Sequence, residues 1–373
     1  MSHPLPVRVA LLLLVGTCLL SAPSALLGAQ PVECAPPTPV WQTAALETVG
    51  VDAELIAEGE AEIANDLPFV RSVLIVRHGC LAYERYFGGA NANTRFNGFS
   101  VTKSVTGTLI GIALEEGVID SVEDIIGGYL ALADDDPHRT IRISHLLRML
   151  SGIDWDETSA ADIGGMLDAE RDEVGYILGL PLAHAPGTFW NYSSADSHLL
   201  SAVLTAAAGE STVEFAERRL FDPLGITDYA WMNDSSGINF GGTQLFWRAR
   251  DMAKFGQLIL QDGDWNGESI VPADWIAYMT RPQLANPAIY ELSYAAHWWH
   301  ARLGDFPPMS AASGYGGQLI FVAPEQDMVI VITANGYRRE PDQYISGAQE
   351  AHQREAILDY IETFILPALV LPS

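Results

Sequence analysis

Hydrophobic positions along the 373-residue chain change period more than once. The run Ser72-Val73-Leu74-Ile75-Val76-Arg77 is followed by His78-Gly79 and then by Cys80-Leu81-Ala82-Tyr83-Glu84-Arg85-Tyr86-Phe87. Two short apolar runs around a Gly-containing turn predict a β-hairpin. Residues 54–65 before it carry helical spacing. Between residues 105 and 225 apolar positions recur every three to four residues, which predicts helices over 121–130, 143–149, 173–180, 195–208 and 213–220. Beyond residue 241 the pattern becomes mixed. A helix is expected over 251–260, strands over 318–322 and 328–333 around Pro324-Glu325-Gln326-Asp327, and a long amphipathic helix over 347–365. Strands near both ends with a helical middle imply an α+β fold: an antiparallel sheet flanked by helices, with an inserted, mostly helical domain. The expected division is an irregular arm at 30–45, a sheet domain from 46–104 plus 241–373, and a helical domain at 105–240.

The N-terminal pattern stands apart. Arg8 precedes an apolar run to about Leu20, and Leu27-Gly28-Ala29 supplies small residues before Gln30. This is the layout of a secretory signal peptide over residues 1–29, too short in its core for a membrane span. The expectation is an exported protein, periplasmic or secreted, with no membrane span in the mature chain. Cys34 and Cys80 remain after removal of Cys18; in an oxidising compartment they can pair, and two free thiols fit the sequence equally well. A formal charge of −27 argues against nucleic acid or an anionic membrane as partner.

Candidate chemistry centres on Asn97-Gly98-Phe99-Ser100-Val101-Thr102-Lys103-Ser104, which leads into the apolar stretch at 105–114. Ser followed three residues later by Lys at a helix start puts hydroxyl and amine on one face, one turn apart. The amine can take the hydroxyl proton, and the helix start aims N–H groups at the forming oxyanion. Lysine occurs only as Lys103 and Lys254, against eighteen arginines, so a chance Ser-x-x-Lys is rarer here than in an ordinary chain.

Two further segments support the same chemistry. Asn191-Tyr192-Ser193-Ser194 follows Pro186-Gly187 and precedes a helix, where a phenol beside a Ser–Lys pair can pass protons. Ser313-Gly314-Tyr315-Gly316-Gly317-Gln318 runs into a strand, and its glycines allow close approach to the backbone. The three segments in this order resemble the serine β-lactamase and penicillin-binding-protein superfamily. The nearest likeness is to its class C and esterase branch, which includes carboxylesterases and 6-aminohexanoate-dimer hydrolases. The resemblance covers roughly residues 45–365, with support from residues 143–155, 241–256, 264–267 and 271–275.

The resemblance implies a β-lactamase-like fold with Ser100 as acyl-forming nucleophile, Lys103 as its base and Tyr192 as proton relay. It further implies an oxyanion hole from the backbone N–H groups of Ser100 and Gln318, with Ser194, Tyr315, Gly316 and Gly317 contacting substrate. Two positions depart from the pattern. Ser194 stands where Asn is common, and Tyr315 stands where β-lactam-recognising members carry a Lys that pairs with a carboxylate. The second departure favours a small-molecule ester or amide over a β-lactam. The rivals are a β-lactamase or D-alanyl-D-alanine peptidase and, from another class, a non-catalytic binding protein on the same scaffold.

No cofactor or metal is implied. Asp262-Gly263-Asp264 opens like a calcium loop, but Ala273 occupies the twelfth position in place of Glu. His297 and His300 around Trp298-Trp299 lack a carboxylate at ligand spacing. No Gly-x-Ser-x-Gly elbow is present, which counts against the α/β-hydrolase arrangement.

Overall fold

The expected hairpin forms strands β1 (Val70–Arg77) and β2 (Cys80–Tyr86), in a computed structural model that describes Met1 and residues 32–37, 40–168, 170–282, 292–339 and 343–369. The predicted signal peptide, beyond Met1, lies outside the described residues. His78 and Gly79 turn the chain with φ of 51° and 72°. Five later strands join the hairpin: β3 (Leu292–Tyr294), β4 (Trp299–Ala301), β5 (Met309–Gly314), β6 (Gln318–Ala323) and β7 (Met328–Ala334). The sheet order is β2-β1-β7-β6-β5-β4-β3, antiparallel throughout. β1 therefore pairs with a strand some 250 residues downstream, Val73 opposite Ile332 and Ile75 opposite Ile330.

Both sheet faces are covered, which explains why β1, β6 and β7 read as largely apolar runs. Val73, Ile75, Phe321, Ile330 and Ile332 meet helix α1 (Ala53–Asp66) and the C-terminal residues Ile357, Ile361 and Ile365. The alternate positions Leu74, Val76, Ile320, Val329 and Val331 face the opposite layer. That layer contains α2 (Val101–Glu115), α3 (Ser194–Ala208) and α4 (Ala249–Leu260). α2 packs between α3 and β5 and is buried from Val101 to Ala113. Two of its hydroxyls are bonded where they cross the core: Ser104 donates to His297 O at 2.7 Å and Thr106 to Gly241 O at 2.7 Å.

Several expected elements change shape. The helix anticipated over 121–130 reduces to a three-residue 3-10 turn, Ile126–Gly128. There the Ile126 N–H donates to Ile141 O and the Tyr129 hydroxyl to Asp124, so tertiary partners replace helical ones. The helix over 213–220 is α-helical for Thr212–Ala216 and then π-helical for Glu217–Phe221. The C-terminal helix is α5 (Gly347–Tyr360) followed by a π-helical turn, Ile361–Ile365. The helix Ala273–Thr280 and the small sheet of Arg95–Asn97, Leu245–Arg248 and Tyr229–Trp231 were not apparent from periodicity.

Cys34 and Cys80 form a disulfide, which decides between the two pairing states left open by the sequence. The bond fastens the N-terminal arm to the start of β2, where the Cys34 N–H also donates to His78 O at 2.8 Å. Among the described residues no helix is long and apolar enough to cross a membrane.

Candidate active site

Ser100 stands where the short strand Arg95–Asn97 gives way to α2, as the N-cap residue of that helix. Phe99 immediately before it has φ of 45°. A bulky residue in this region costs about 1–3 kcal/mol and persists only where its surroundings hold it. The surroundings do so here. The Phe99 N–H donates to Asn97 Oδ1 at 2.9 Å, the Gly98 N–H donates to Leu245 O at 2.8 Å, and the Phe99 ring sits 5.7–5.9 Å from Tyr315, Tyr337 and Tyr344. The kink turns Ser100 into a cavity of about 540 Å³. No sequence pattern announces a strained backbone at a phenylalanine.

Lys103, one turn along α2, is buried at 1% exposure. As an ammonium, its Nζ donates to Ser100 Oγ at 3.1 Å, Ser194 Oγ at 2.8 Å and Gly242 O at 3.1 Å. Burial lowers its pKa to about 8, against the opposing pull of Glu157 and Asp196. Tyr192 completes the group. Its ring centroid lies 4.9 Å from Lys103 Nζ and it stacks on Trp299 at 5.6 Å. Burial, with Glu157 nearby, pushes the phenol well above its ordinary pKa, while its hydrogen bond with Ser100 pulls the other way. The resulting phenol is protonated throughout the neutral range.

The third segment forms the β5–β6 turn, with Gly314 paired to Gln318. A Cβ on Gly314 would lie 2.2 Å from Gly98 O and 3.2 Å from Ser100 N, so only glycine lets this strand end pass beside the serine. Tyr315 lines the cavity, but its hydroxyl donates to Ile345 O. Gly316 and Gly317 have φ of 77° and 96°, and a Cβ on Gly317 would strike Ile357 at 2.4 Å. Turn geometry and packing against α5 account for both glycines, which do not line the cavity as Gly314 and Tyr315 do. The Gln318 side chain is occupied behind the site: Nε2 donates to Ala334 O at 2.6 Å and Oε1 accepts from Ala334 N at 3.3 Å.

Sequence reading missed Glu157. Its carboxylate lines the cavity, lies 4.0 Å from Lys103 Nζ, and accepts from the Ser194 hydroxyl, the Ser194 N–H at 2.8 Å and the Trp155 indole at 2.6 Å. The available signal was its position two residues beyond Trp155, just past a segment that supports the family resemblance. Also missed was the pair Glu350–Arg354 on α5, which brings a carboxylate and a guanidinium to the cavity wall. Trp299 lines the cavity, Trp298 is core, and His297 is buried, bonded to Leu147 O at 2.9 Å and Ser197 Oγ at 2.9 Å. Among the described residues no three His, Cys, Asp or Glu side chains gather as metal ligands.

Comparison with known proteins bears on the family and the fold. A family model described as Beta-lactamase matches residues 70–353. The 6-aminohexanoate-dimer hydrolase of Paenarthrobacter ureafaciens is 25% identical over 283 residues, covering 69% of this chain and 70% of the relative. A solved structure from Bacillus anthracis, proposed to be a 6-aminohexanoate-dimer hydrolase, superposes with a TM-score of 0.69 at 21% identity, covering 90% of this chain and 92% of that one. EstCE1, described as a hydrolase with promiscuous acyltransferase activity, superposes with a TM-score of 0.63 at 18% identity, covering 83% and 97%.

Proposed function

We propose, for a chain that belongs to the beta-lactamase family, that it is a serine hydrolase cleaving a small ester or amide through an acyl-enzyme on Ser100. The observation that carries this reading is the contact of Ser100 Oγ with the amine of a buried Lys103, at the floor of a cavity also lined by Tyr192. In the proposed reaction Lys103 takes the Ser100 proton as Oγ bonds to the acyl carbon. The carbonyl electron pair moves to oxygen and faces the N–H groups of Ser100 and Gln318. As the carbonyl re-forms and the bond to the leaving group breaks, Tyr192 gives its proton to the leaving group and is reprotonated from Lys103, and water then releases the acyl group by the reverse path. The named hydrolases among its relatives support the reaction class.

The pH dependence follows from the lysine. A base must be neutral, and Lys103 loses its proton near pH 8. kcat/KM for an ester is expected to rise with pH through an acid limb centred near 8, since that ratio reports the free enzyme. An acid limb lying far from pH 8 would remove Lys103 from the role of base.

Selectivity is tested at Tyr315. With no cation at this position, p-nitrophenyl esters are expected to be turned over much faster than nitrocefin. A charge-assisted hydrogen bond to a buried carboxylate contributes about 1.5–3 kcal/mol, roughly ten- to a hundredfold. Tyr315→Lys is therefore expected to raise acylation by nitrocefin relative to p-nitrophenyl acetate by about that factor. Arg354 is a cation on the cavity wall, but Glu350 engages it. If the wild type prefers nitrocefin and loses that preference in Arg354→Ala, the β-lactamase reading replaces this one.

A further inference from the structure

The hydrogen bonds around Lys103 have a sense as well as a length. Ser194 Oγ carries one proton and donates it to Glu157 Oε1. Toward Lys103, 2.8 Å away, Ser194 can then only accept. Gly242 O, at 3.1 Å, is a carbonyl and can also only accept. A neutral amine has two N–H bonds and one lone pair. The two obligate acceptors take the N–H bonds, and the lone pair is left facing the third neighbour, Ser100 Oγ, the one with a proton to give. Glu157 is itself fixed by the Ser194 N–H at 2.8 Å and the Trp155 indole at 2.6 Å.

We infer that Glu157, acting through Ser194, is a positioning residue that aims the lone pair of neutral Lys103 at the hydroxyl of Ser100. The inference rests on the reading of Ser100 as nucleophile and Lys103 as base. Were the Ser194 hydroxyl free, it could donate to the lysine lone pair and idle the base. With Glu157 holding that proton, the lone pair is available. As Oγ bonds to the acyl carbon, its proton moves to Nζ and the carbonyl π pair moves to oxygen. The new ammonium keeps Ser194 and Gly242 as acceptors and lies 4.0 Å from the Glu157 carboxylate.

The other charged or titratable groups facing Lys103 are few. Asp196 on α3 is buried, receives the Ser151 hydroxyl at 2.6 Å, and is raised to about 7 by burial. Tyr192 is a neutral phenol, and His297 is held neutral by burial, its pKa lowered to about 3. Glu157 is thus the cavity-lining carboxylate beside the lysine, and removing its charge lowers the lysine pKa.

The experiment measures the rate of Ser100 labelling by a fluorophosphonate as a function of pH, together with kcat and KM for a p-nitrophenyl ester. The variants are Glu157→Gln, Glu157→Asp, Ser194→Ala and the Glu157→Gln/Ser194→Ala double. Glu157→Gln keeps the size of the side chain but offers an amide that can donate to Ser194 and reverse the chain. It is expected to lower kcat and the labelling rate by about ten- to a hundredfold, with KM little changed. The acid limb should move down by about one pH unit, because an opposite charge at this distance is gone. Ser194→Ala should show a similar loss of rate, Glu157→Gln should add little to it, and Glu157→Asp should restore the acid limb toward its wild-type position. A change in KM alone would make Glu157 a substrate contact and overturn the inference. So would a loss of rate with an unmoved limb, or losses that multiply in the double variant. If Ser100 of the wild type takes no label, the nucleophile reading fails and this inference falls with it. If Ser100 labels normally and Glu157→Gln behaves as wild type, only the inference fails.

Discussion

Ser100→Ala is expected to lower ester turnover by a factor on the order of 10³–10⁶, because the covalent route disappears while the cavity remains. A fluorophosphonate should label the wild type and leave the variant unlabelled. Folding should be little affected, since the Ser100 side chain makes no capping bond to α2 and its contact with Lys103 is a single hydrogen bond. The strained backbone at Phe99 is untouched by this change, so a matching thermal midpoint would separate loss of chemistry from loss of structure. Equal labelling of the variant would place the nucleophile elsewhere.

The second large effect concerns Lys103 and Tyr192 as one proton-transfer unit. Lys103→Ala and Tyr192→Phe should each cost about 10²–10⁴ in rate, and the double variant far less than the product. The two roles differ in a measurable way. Lys103, brought to about 8 by burial, can be a base near neutrality, whereas Tyr192 is pushed upward and can act there only as a proton donor. Lys103→Ala should therefore slow every substrate. Tyr192→Phe should slow amides more than p-nitrophenyl esters, because p-nitrophenolate departs without a proton and an amine does not. Steady-state rates on a matched amide and ester, in wild type and all three variants, decide it. Losses that simply multiply would make the groups independent and dismiss the unit.

Much of this site was legible before any coordinates. A serine at a helix start with a lysine one turn on specifies its own geometry, because helical spacing alone brings the two together. The β1–β2 hairpin, α4 and the β6–β7 pair were also local matters, set by apolar runs and the residues that interrupt them. The short strands were harder to see. β5, Met309–Gly314, reads Met-Ser-Ala-Ala-Ser-Gly and has little β-propensity of its own; β4 and β6 on either side make it a strand. The segment 121–130 erred in the other direction, helical in spacing but claimed by Ile141 and Asp124.

The sequence by itself determined the α+β class, the family likeness and the choice of Ser100, Lys103 and Tyr192 as candidates. Each rests on residues close together along the chain or on motifs in order. Tertiary structure alone decided that Lys103 is buried enough to be lowered toward neutrality, that Phe99 is held in a strained turn by three tyrosines, and that Cys34 meets Cys80. It also decided that Glu157 reaches Ser194 across 37 positions of chain and accepts its hydrogen bond. Burial, strain and the sense of a hydrogen bond depend on neighbours brought from distant segments. Local composition cannot encode which of them arrive.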